Sequence, residues 1–406
     1  MKILLVNDYG TATGGAELQM LSLKQGLIDR GHNVRLFSSH CQGVENLESS
    51  LLADYHCFGS NSRLQVLSQT VNPSSFFALK KVLREFQPDV VHVRMFLWQL
   101  SPLILPLLKS FPSLYQTAVY KAICPVGTKI LPDKSPCYHK AGKVCLSEGC
   151  VTPQSWLFLM IQRQLWLRWR SAFDTVVALS HRMKARLEAE GVSPVQVVYN
   201  GVPLREMRPP LKNLPIVAFA GRLSPEKGVD VLIKAFAKIV PIFPEAQLLI
   251  AGEGKEEGNL RQLAEALKIS QNVKFLGYLT RSELENTFNC AWVQVVPSIW
   301  DEPFGNVTTE AMMRGTAVIA SAVGAQPEII EEGVTGLLVP PNDEEALSTA
   351  LLSILKERDL AEKMGQFGRK RAIERFSEDR RTEHFLEIYQ QLLTAKSIRA
   401  LRYPLC

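Results

Sequence analysis

The stretch Asp301-Glu302-Pro303-Phe304-Gly305-Asn306-Val307-Thr308-Thr309-Glu310 holds two glutamates with seven residues between them. Were all of it helical, eight steps of about 1.5 Å would set the two carboxylates about 12 Å apart on nearly one face. Pro303 and Gly305 instead put Glu302 in the loop leading into a helix, with Glu310 about two turns inside it. The amides of Phe304, Gly305 and Asn306 then point at whatever Glu302 faces, and a helix N-terminus attracts phosphate. Carboxylates do not bind phosphate, but they accept hydrogen bonds from hydroxyls. Hydroxyls and phosphate in one ligand describe a sugar nucleotide. Acidic residues also favour helix starts for their own sake, so the spacing alone leaves a ligand clamp and an acidic helix start both open.

Outward from this stretch, short apolar runs alternate with amphipathic ones. Ile3–Val6, Val34–Phe37, Val90–Val93, Thr175–Leu179 and Val195–Tyr199 read as buried strands of a parallel sheet, with helices over Glu17–Asp29, Ser74–Phe86 and Gln154–Trp169. A second series follows: strands at Ile216–Ala220, Gln247–Ala251, Val273–Leu276, Val293–Val296, Ala317–Ala320 and Leu337–Val339. Val229–Phe236, Leu260–Leu267, Glu310–Arg314 and Glu345–Leu355 fall in the helical segments between them. Such alternation twice over predicts an α/β protein of two doubly wound domains. Pro203, Pro209, Pro210 and Pro215 mark the linker, which sets the first domain at residues 1–205 and the second at 206–380. Ser377–Ser397 reads as one long helix, and residues 381–406 as a closing helical segment.

The chain has 406 residues, 46% hydrophobic and 21% charged, enough to bury a core in each domain and too apolar for disorder. Its net charge of +6 is unevenly placed: residues 80–170 carry 13 Lys and Arg against 4 Asp and Glu. That excess suits an anionic partner such as nucleic acid, an acidic membrane face or a phosphorylated lipid, and equally suits scattered solvated lysines. No signal peptide or transmembrane run is visible, which points to the cytoplasm and to cysteines held as thiols.

Three more motifs carry chemistry. Gly14-Gly15-Ala16-Glu17 lies between the first strand and first helix, where glycines let backbone approach a ligand and a plain turn would look the same. Gly221-Arg222-Leu223-Ser224-Pro225-Glu226-Lys227-Gly228 follows the first strand of the second domain. It sets two cations around a turn where open sheets bind ligands, a fit for a diphosphate, though an exposed basic loop reads alike. Gly252-Glu253-Gly254-Lys255-Glu256-Glu257-Gly258 has one residue too many for a dinucleotide fingerprint and reads as an ordinary turn. Cys124, Cys137, Cys145 and Cys150 have the number for a zinc site but not the paired spacing, so metal, disulfide and free thiols stay open. The Trp-rich segment 156–170, with Arg163, Arg168 and Arg170, suits either a membrane interface or a core helix. No Asp-x-Asp pair occurs to clamp a divalent cation on a diphosphate.

With these motifs in this order, and with Tyr199-Asn200-Gly201-Val202 and Gly324-Ala325-Gln326-Pro327-Glu328 besides, the chain resembles glycosyltransferase family 4. The resemblance implies the GT-B fold, two facing Rossmann-like domains with a C-terminal helix crossing back to the first. It implies a retaining, metal-independent transferase that needs no cofactor, the nucleotide sugar being a substrate. By position, Arg222 and Lys227 would hold the donor diphosphate and Gly15 would offer it an amide. Glu302, with the backbone of Phe304, Gly305, Asn306 and Val307, would hold the sugar, and Glu310 the ribose. Glu302, Arg222 and Lys227 are the candidate catalytic residues, and no metal ligands are expected. One departure stands out: the His-Asp that relatives carry before a segment like Ile123-Cys124-Pro125 is replaced by Ala118-Val119. His92 and Arg94, at the end of a first-domain strand, are candidate acceptor-side substitutes, and His92 also reads as a structural histidine.

The resulting expectation is a hexosyltransferase using a UDP-hexose such as UDP-glucose. Its acceptor would be a glycan or lipid-linked chain of envelope or exopolysaccharide synthesis, at the inner face of an anionic membrane, with no nucleic acid involved. A non-catalytic nucleotide-sugar-binding scaffold subunit is the alternative, and a nucleotide-sugar epimerase a third reading.

Overall fold

The computed structural model describes residues 1–406 except 13, 42–51, 63–64, 213 and 403–406. The chain divides into two compact units: Met1–Pro132, Cys137–Gly201 and Glu378–Cys406 form one, and Asp133–Pro136 and Val202–Ser377 the other.

The first unit has seven strands: β1 Lys2–Tyr9, β2 Asn33–Cys41, β3 Tyr55–Gly59, β4 Val90–Val93, β5 Ser113–Gln116, β6 Thr175–Ala178 and β7 Val195–Val197. All pair in parallel, in the order β3-β2-β1-β4-β5-β6-β7. Ile3–Val6 is wholly buried, as it must be where helices cover both faces of a parallel sheet. The helices are α1 Gly15–Asp29, α2 Gln65–Thr70, α3 Pro73–Phe86, α4 Leu105–Leu108, α5 Val144–Ser147, α6 Pro153–Trp169 and α7 His181–Ala189. Their starts follow local chemistry: the Asn72 side chain accepts from Ser75 N at 3.1 Å, with Pro73 opening α3, and Ser180 accepts from Met183 N at 3.1 Å at α7.

The second unit has six parallel strands: β8 Ile216–Ala220, β9 Gln247–Ala251, β10 Val273–Gly277, β11 Val293–Val296, β12 Ala317–Ser321 and β13 Leu337–Val339. Their order is β10-β9-β8-β11-β12-β13. The helices are α8 Val229–Ala237, α9 Glu257–Ala266, α10 Arg281–Phe288, α11 Asn306–Arg314, α12 Gln326–Ile329, α13 Glu344–Lys356 and α14 Arg358–Phe376. Its core gathers Val217, Phe219, Leu232, Phe236, Leu248, Ile250, Val293, Val295, Ile319 and Leu351.

The long helix expected over Ser377–Ser397 is one helix in the structure. Ser377 is extended, with φ −74° and ψ 154°, and separates α14 from α15, Glu378–Arg402. That residue is also where the chain leaves the second unit, and α15 belongs to the first. Phe385, Ile388, Tyr389 and Leu392 of α15 enter a core with Ile3, Leu5, Met20, Leu23 and Leu27. Two strands, β3 and β5, fall outside the runs read from the sequence. The sequences Tyr-His-Cys-Phe-Gly and Ser-Leu-Tyr-Gln are too polar to show the apolar run of a buried strand.

Each sheet reverses direction of winding between two strands, β1 and β4 in the first and β8 and β11 in the second. In open α/β sheets ligands bind beyond the strand ends at such a point.

Candidate functional site

In the second unit, the loops after β8 and β11 meet at the winding reversal. The turn Pro225–Lys227 ends at Gly228, whose φ of 65° suits glycine, and a Cβ there would collide with the Pro297 carbonyl oxygen. Ile299 N donates to Glu226 O at 3.0 Å, closing the two loops on each other. The result brings together Lys227 and Glu302, 75 positions apart: Lys227 Nζ donates to Glu302 Oε1 at 2.5 Å. The Ser298 hydroxyl donates to Glu302 Oε2 at 3.2 Å, and the Lys227 ammonium lies 5.5 Å from the centroid of the Trp300 ring. Cation and carboxylate, expected to face different parts of a ligand, face each other here. An ammonium has three N–H donors and each carboxylate oxygen two lone pairs, so both keep capacity for further partners.

Arg222 reaches outward: its side chain is 74% exposed and pairs with Glu226 at 3.3 Å. The decoy glycines explain how it is placed. A Cβ at Gly252 would strike the Gly221 carbonyl and one at Gly254 the Leu223 carbonyl, while Leu223 N donates to Glu253 O at 2.9 Å. That loop packs backbone on backbone beneath the arginine turn, a reason for glycine unrelated to nucleotide binding.

α11 begins at Asn306, after Gly305 with φ 110° and with no side-chain cap. Glu310 is therefore its fifth residue, a little over one turn in rather than two. Glu310 Oε1 accepts from Arg281 Nη2 at 3.0 Å. Asn306, Val307 and Glu310 are half-buried, whereas Phe304 is buried and packs edge-on to Phe376 at 5.8 Å. The Phe304 ring is thus an anchor, and backbone is what this residue can present. Two buried residues that sequence reading passed over fix the helix. Gln294 donates from Nε2 to Val307 O at 2.9 Å, and Arg314 donates to Gln294 Oε1 at 2.7 Å and to Glu285 Oε1 at 3.1 Å. Gln294 sits within an otherwise apolar strand, a signal available in the sequence.

The first unit is different. Gly15 is the first residue of α1, with Gly14 as an uncapped N-cap. His92 was a candidate acceptor-side group, and the structure corrects this. It is fully buried, its Nδ1 2.7 Å from the Tyr389 hydroxyl and its Nε2 3.1 Å from Gln116 Oε1, with Phe385 4.7 Å away. Burial pushes its pKa down to about 3, helped by the Arg94 and Arg381 charges. His92 is a neutral core residue that ties β4 to α15. Arg94 is also enclosed, contrary to its candidacy: only 2% exposed, it reaches Asn200 Oδ1 at 3.4 Å and is pulled down to about 9 by burial first and Arg381 second. The motif Tyr199-Asn200-Gly201 has its own anchor in Gln19. Gln19 donates to Gly201 O at 2.6 Å, accepts from Gly201 N at 3.2 Å and accepts from Arg381 at 2.5 Å.

Ala118 and Val119 lie half-buried just past β5. Three residues on is a cation the sequence reading missed: Lys121, buried, donates to Pro125 O at 2.5 Å and lies 4.0 Å from the Trp98 ring centroid. Burial brings its pKa down to about 8. Cys124, Cys137, Cys145 and Cys150 are free thiols. They are near enough to influence one another, and burial raises the pKa of Cys145 and Cys150. Among the described residues no group of three or more His, Cys, Asp or Glu is arranged to hold a metal. The segment is tied to α7 by the buried Lys129–Glu190 pair at 2.7 Å and by Arg186 donating to Cys137 O at 3.0 Å.

Comparison with known proteins gives the family and the fold. Residues 205–371 match the family "glycosyl transferases group 1", and residues 14–202 a "glycosyl transferase 4-like domain". Phosphatidyl-myo-inositol mannosyltransferase of Mycolicibacterium smegmatis is 27% identical over 373 residues, 89% of this chain and 86% of that protein. A GDP-mannose-dependent monoacylated alpha-(1-6)-phosphatidylinositol monomannoside mannosyltransferase of Corynebacterium glutamicum is 39% identical over 161 residues, 38% of this chain. That match spans 42% of the relative, and the match to an uncharacterized glycosyltransferase of Methanocaldococcus jannaschii spans 44% of that protein. Among solved structures, sucrose-phosphate synthase from Thermosynechococcus elongatus superposes with a TM-score of 0.73 at 23% identity, over 97% of this chain and all of that one. Anabaena HepE in complex with UDP gives 0.67 at 20% identity, over 98% of this chain and all of that one.

Proposed function

Because the chain belongs to the GT-B glycosyltransferases, we propose that it moves a hexosyl group from a nucleoside diphosphate sugar to an acceptor hydroxyl with retention at the anomeric carbon. The observation that carries this reading is Glu302, held between Lys227 and Ser298 in the loop just before α11. The Glu302 carboxylate accepts from the sugar's hydroxyls, and Lys227 and Arg222 bind the diphosphate. As the C1–O bond to the diphosphate breaks, the electron pair goes to the diphosphate oxygen, where these two cations stabilise it. The acceptor oxygen bonds to C1, and its proton passes to the departing diphosphate. Glu310, held by Arg281, takes the ribose hydroxyls.

The donor is a UDP- or GDP-hexose. Two of the sequence relatives are named for mannosyl transfer, one of them GDP-mannose-dependent, whereas the HepE structure holds UDP. Incubation of the full chain with UDP-glucose or GDP-mannose, in chelator and without added metal, is expected to release UDP or GDP. With an acceptor present, an α-linked donor should give an α-linked product by NMR. Tight donor binding with no release and no transfer to any lipid-linked or glycan acceptor would favour a scaffold subunit instead.

The acceptor side of the proposal is a glycan or lipid-linked acceptor at an anionic membrane. No helix among the described residues is long and apolar enough to cross a membrane. In the first unit, α3 turns Phe77, Lys80, Lys81 and Arg84 outward, and α6 exposes Leu157, Ile161 and Arg168 at helical spacing. Flotation with anionic vesicles that fades with added salt is the expected result; no flotation at low salt removes the membrane from the account.

A further inference from the structure

Gln326 has a side chain with no exposed surface, yet its Nε2 has no hydrogen-bond partner. Buried donors are normally satisfied, and an exception in a candidate site asks for an acceptor from outside the chain. The Gln326 Oε1 is fixed, accepting from the Thr308 hydroxyl at 2.8 Å. Nε2 lies in the space that a Cβ on Gly305 would occupy, against the N-terminus of the nine-residue α11.

The same turn holds the Glu302 backbone. Ala325 N donates to Glu302 O at 3.1 Å, and Gly324, with φ 58°, sits so close to Glu302 that a Cβ would strike both its N and O. One turn therefore carries an orphaned donor against Gly305 and holds the backbone of Glu302, whose carboxylate only accepts. A sugar hydroxyl is the group that answers both, since it donates one hydrogen and accepts another. A phosphate oxygen accepts only.

We propose that Gln326 selects the donor sugar, its Nε2 donating to a hydroxyl oxygen of the hexosyl group bound at the start of α11. The proposal rests on the donor reading of Glu302. It is tested by calorimetric titration of the full chain with UDP, UDP-glucose, GDP and GDP-mannose, in wild type and Gln326→Met, which keeps the side-chain length and removes the N–H. For the sugar nucleotide that wild type binds, the variant should raise Kd about tenfold, the scale of one lost hydrogen bond, with the matching nucleoside diphosphate within about twofold. Turnover with that donor should show the rise in KM, with kcat changed less.

Equal weakening of sugar nucleotide and nucleoside diphosphate overturns the assignment, as does no weakening of either. If Gln326→Met does not give a cooperative thermal transition, Gln326→Asn, which keeps the N–H but draws it back by one methylene, carries the same expectation. Wild type that binds none of the four probes defeats the donor reading and this one with it. Wild-type binding left intact by the variants defeats only this one.

Discussion

The winding reversals of the two sheets hold charged residues of opposite character. In the second unit Lys227, Arg222, Arg281 and Glu310 lie partly open, and the buried Glu302 accepts from Lys227 and Ser298, contacts that leave donors and lone pairs unused. In the first unit Asp8, His92, Arg94 and Arg381 are buried. Asp8, past the β1 core, accepts from the amides of Trp98, Gln99 and Leu100 at 2.8–2.9 Å, His92 holds α15 to the sheet, and Arg381 holds α15 to α1. Similar residue types thus build the proposed donor site in one unit and internal struts in the other. What separates them is the near-complete enclosure of the first-unit group, which residue type does not reveal.

The largest effect should follow from breaking the open cluster. Glu302→Ala and Lys227→Ala are each expected to lower donor turnover by about a hundredfold or more, with thermal stability little changed, read by steady-state release of the nucleoside diphosphate. A loss of turnover matched by a large fall in melting temperature would make the pair a strut like those of the first unit.

Gly228→Ala sharpens the same contrast through backbone. The φ of 65° and the collision with Pro297 O should cost about 1–3 kcal/mol of stability. The shift of the Lys227 turn should weaken nucleoside diphosphate binding as well, measurable by denaturant unfolding and calorimetry.

The buried groups of the first unit are separated by pH. His92 holds no proton above about pH 3 in the fold but gains one near 6.5 when unfolded, so acidification below 6.5 favours unfolding and stability rises with pH across that window. Asp8 is opposite: burial raises it to about 6 from 3.8, so the fold holds its proton and stability falls as pH rises from about 4 to 6. In wild type the two slopes offset between pH 4 and 6. His92→Gln should expose the falling slope and Asp8→Asn the rising one, in melting temperature against pH. Parallel curves for wild type and both variants would contradict the burial assigned to them.

The smallest effect is expected at the capping box of α10, where Thr280 accepts from Glu283 N and Glu283 reaches back to Thr280 N at 2.8 Å. Thr280→Ala should cost about 1 kcal/mol of stability and leave donor affinity unchanged, although Arg281 next to it holds Glu310.

Much of this was legible in the chain. Both parallel sheets show in runs such as Ile3–Val6 and Ala317–Ala320, because strands buried on both faces are largely apolar. The loop nature of Glu302 shows in Pro303 and Gly305. Partner choice was not legible: that Lys227 would meet Glu302, or Arg281 meet Glu310, depends on loops brought together by non-adjacent strands. His92 misled because a strand-end histidine reads the same whether it opens to solvent or meets Tyr389 from a helix nearly 300 residues on. The purpose of Gly252 and Gly254, to let one loop lie on another, likewise needs the neighbouring strand to be known.

The central claim is that Lys227 and Glu302 are paired for a ligand and not for stability. The double variant Lys227→Met/Glu302→Gln tests it most directly, because removing both partners of a structural ion pair relieves the penalty of removing one. Donor turnover by the double variant should be no higher than that of the worse single variant. Recovery towards wild-type turnover in the double variant would contradict the account.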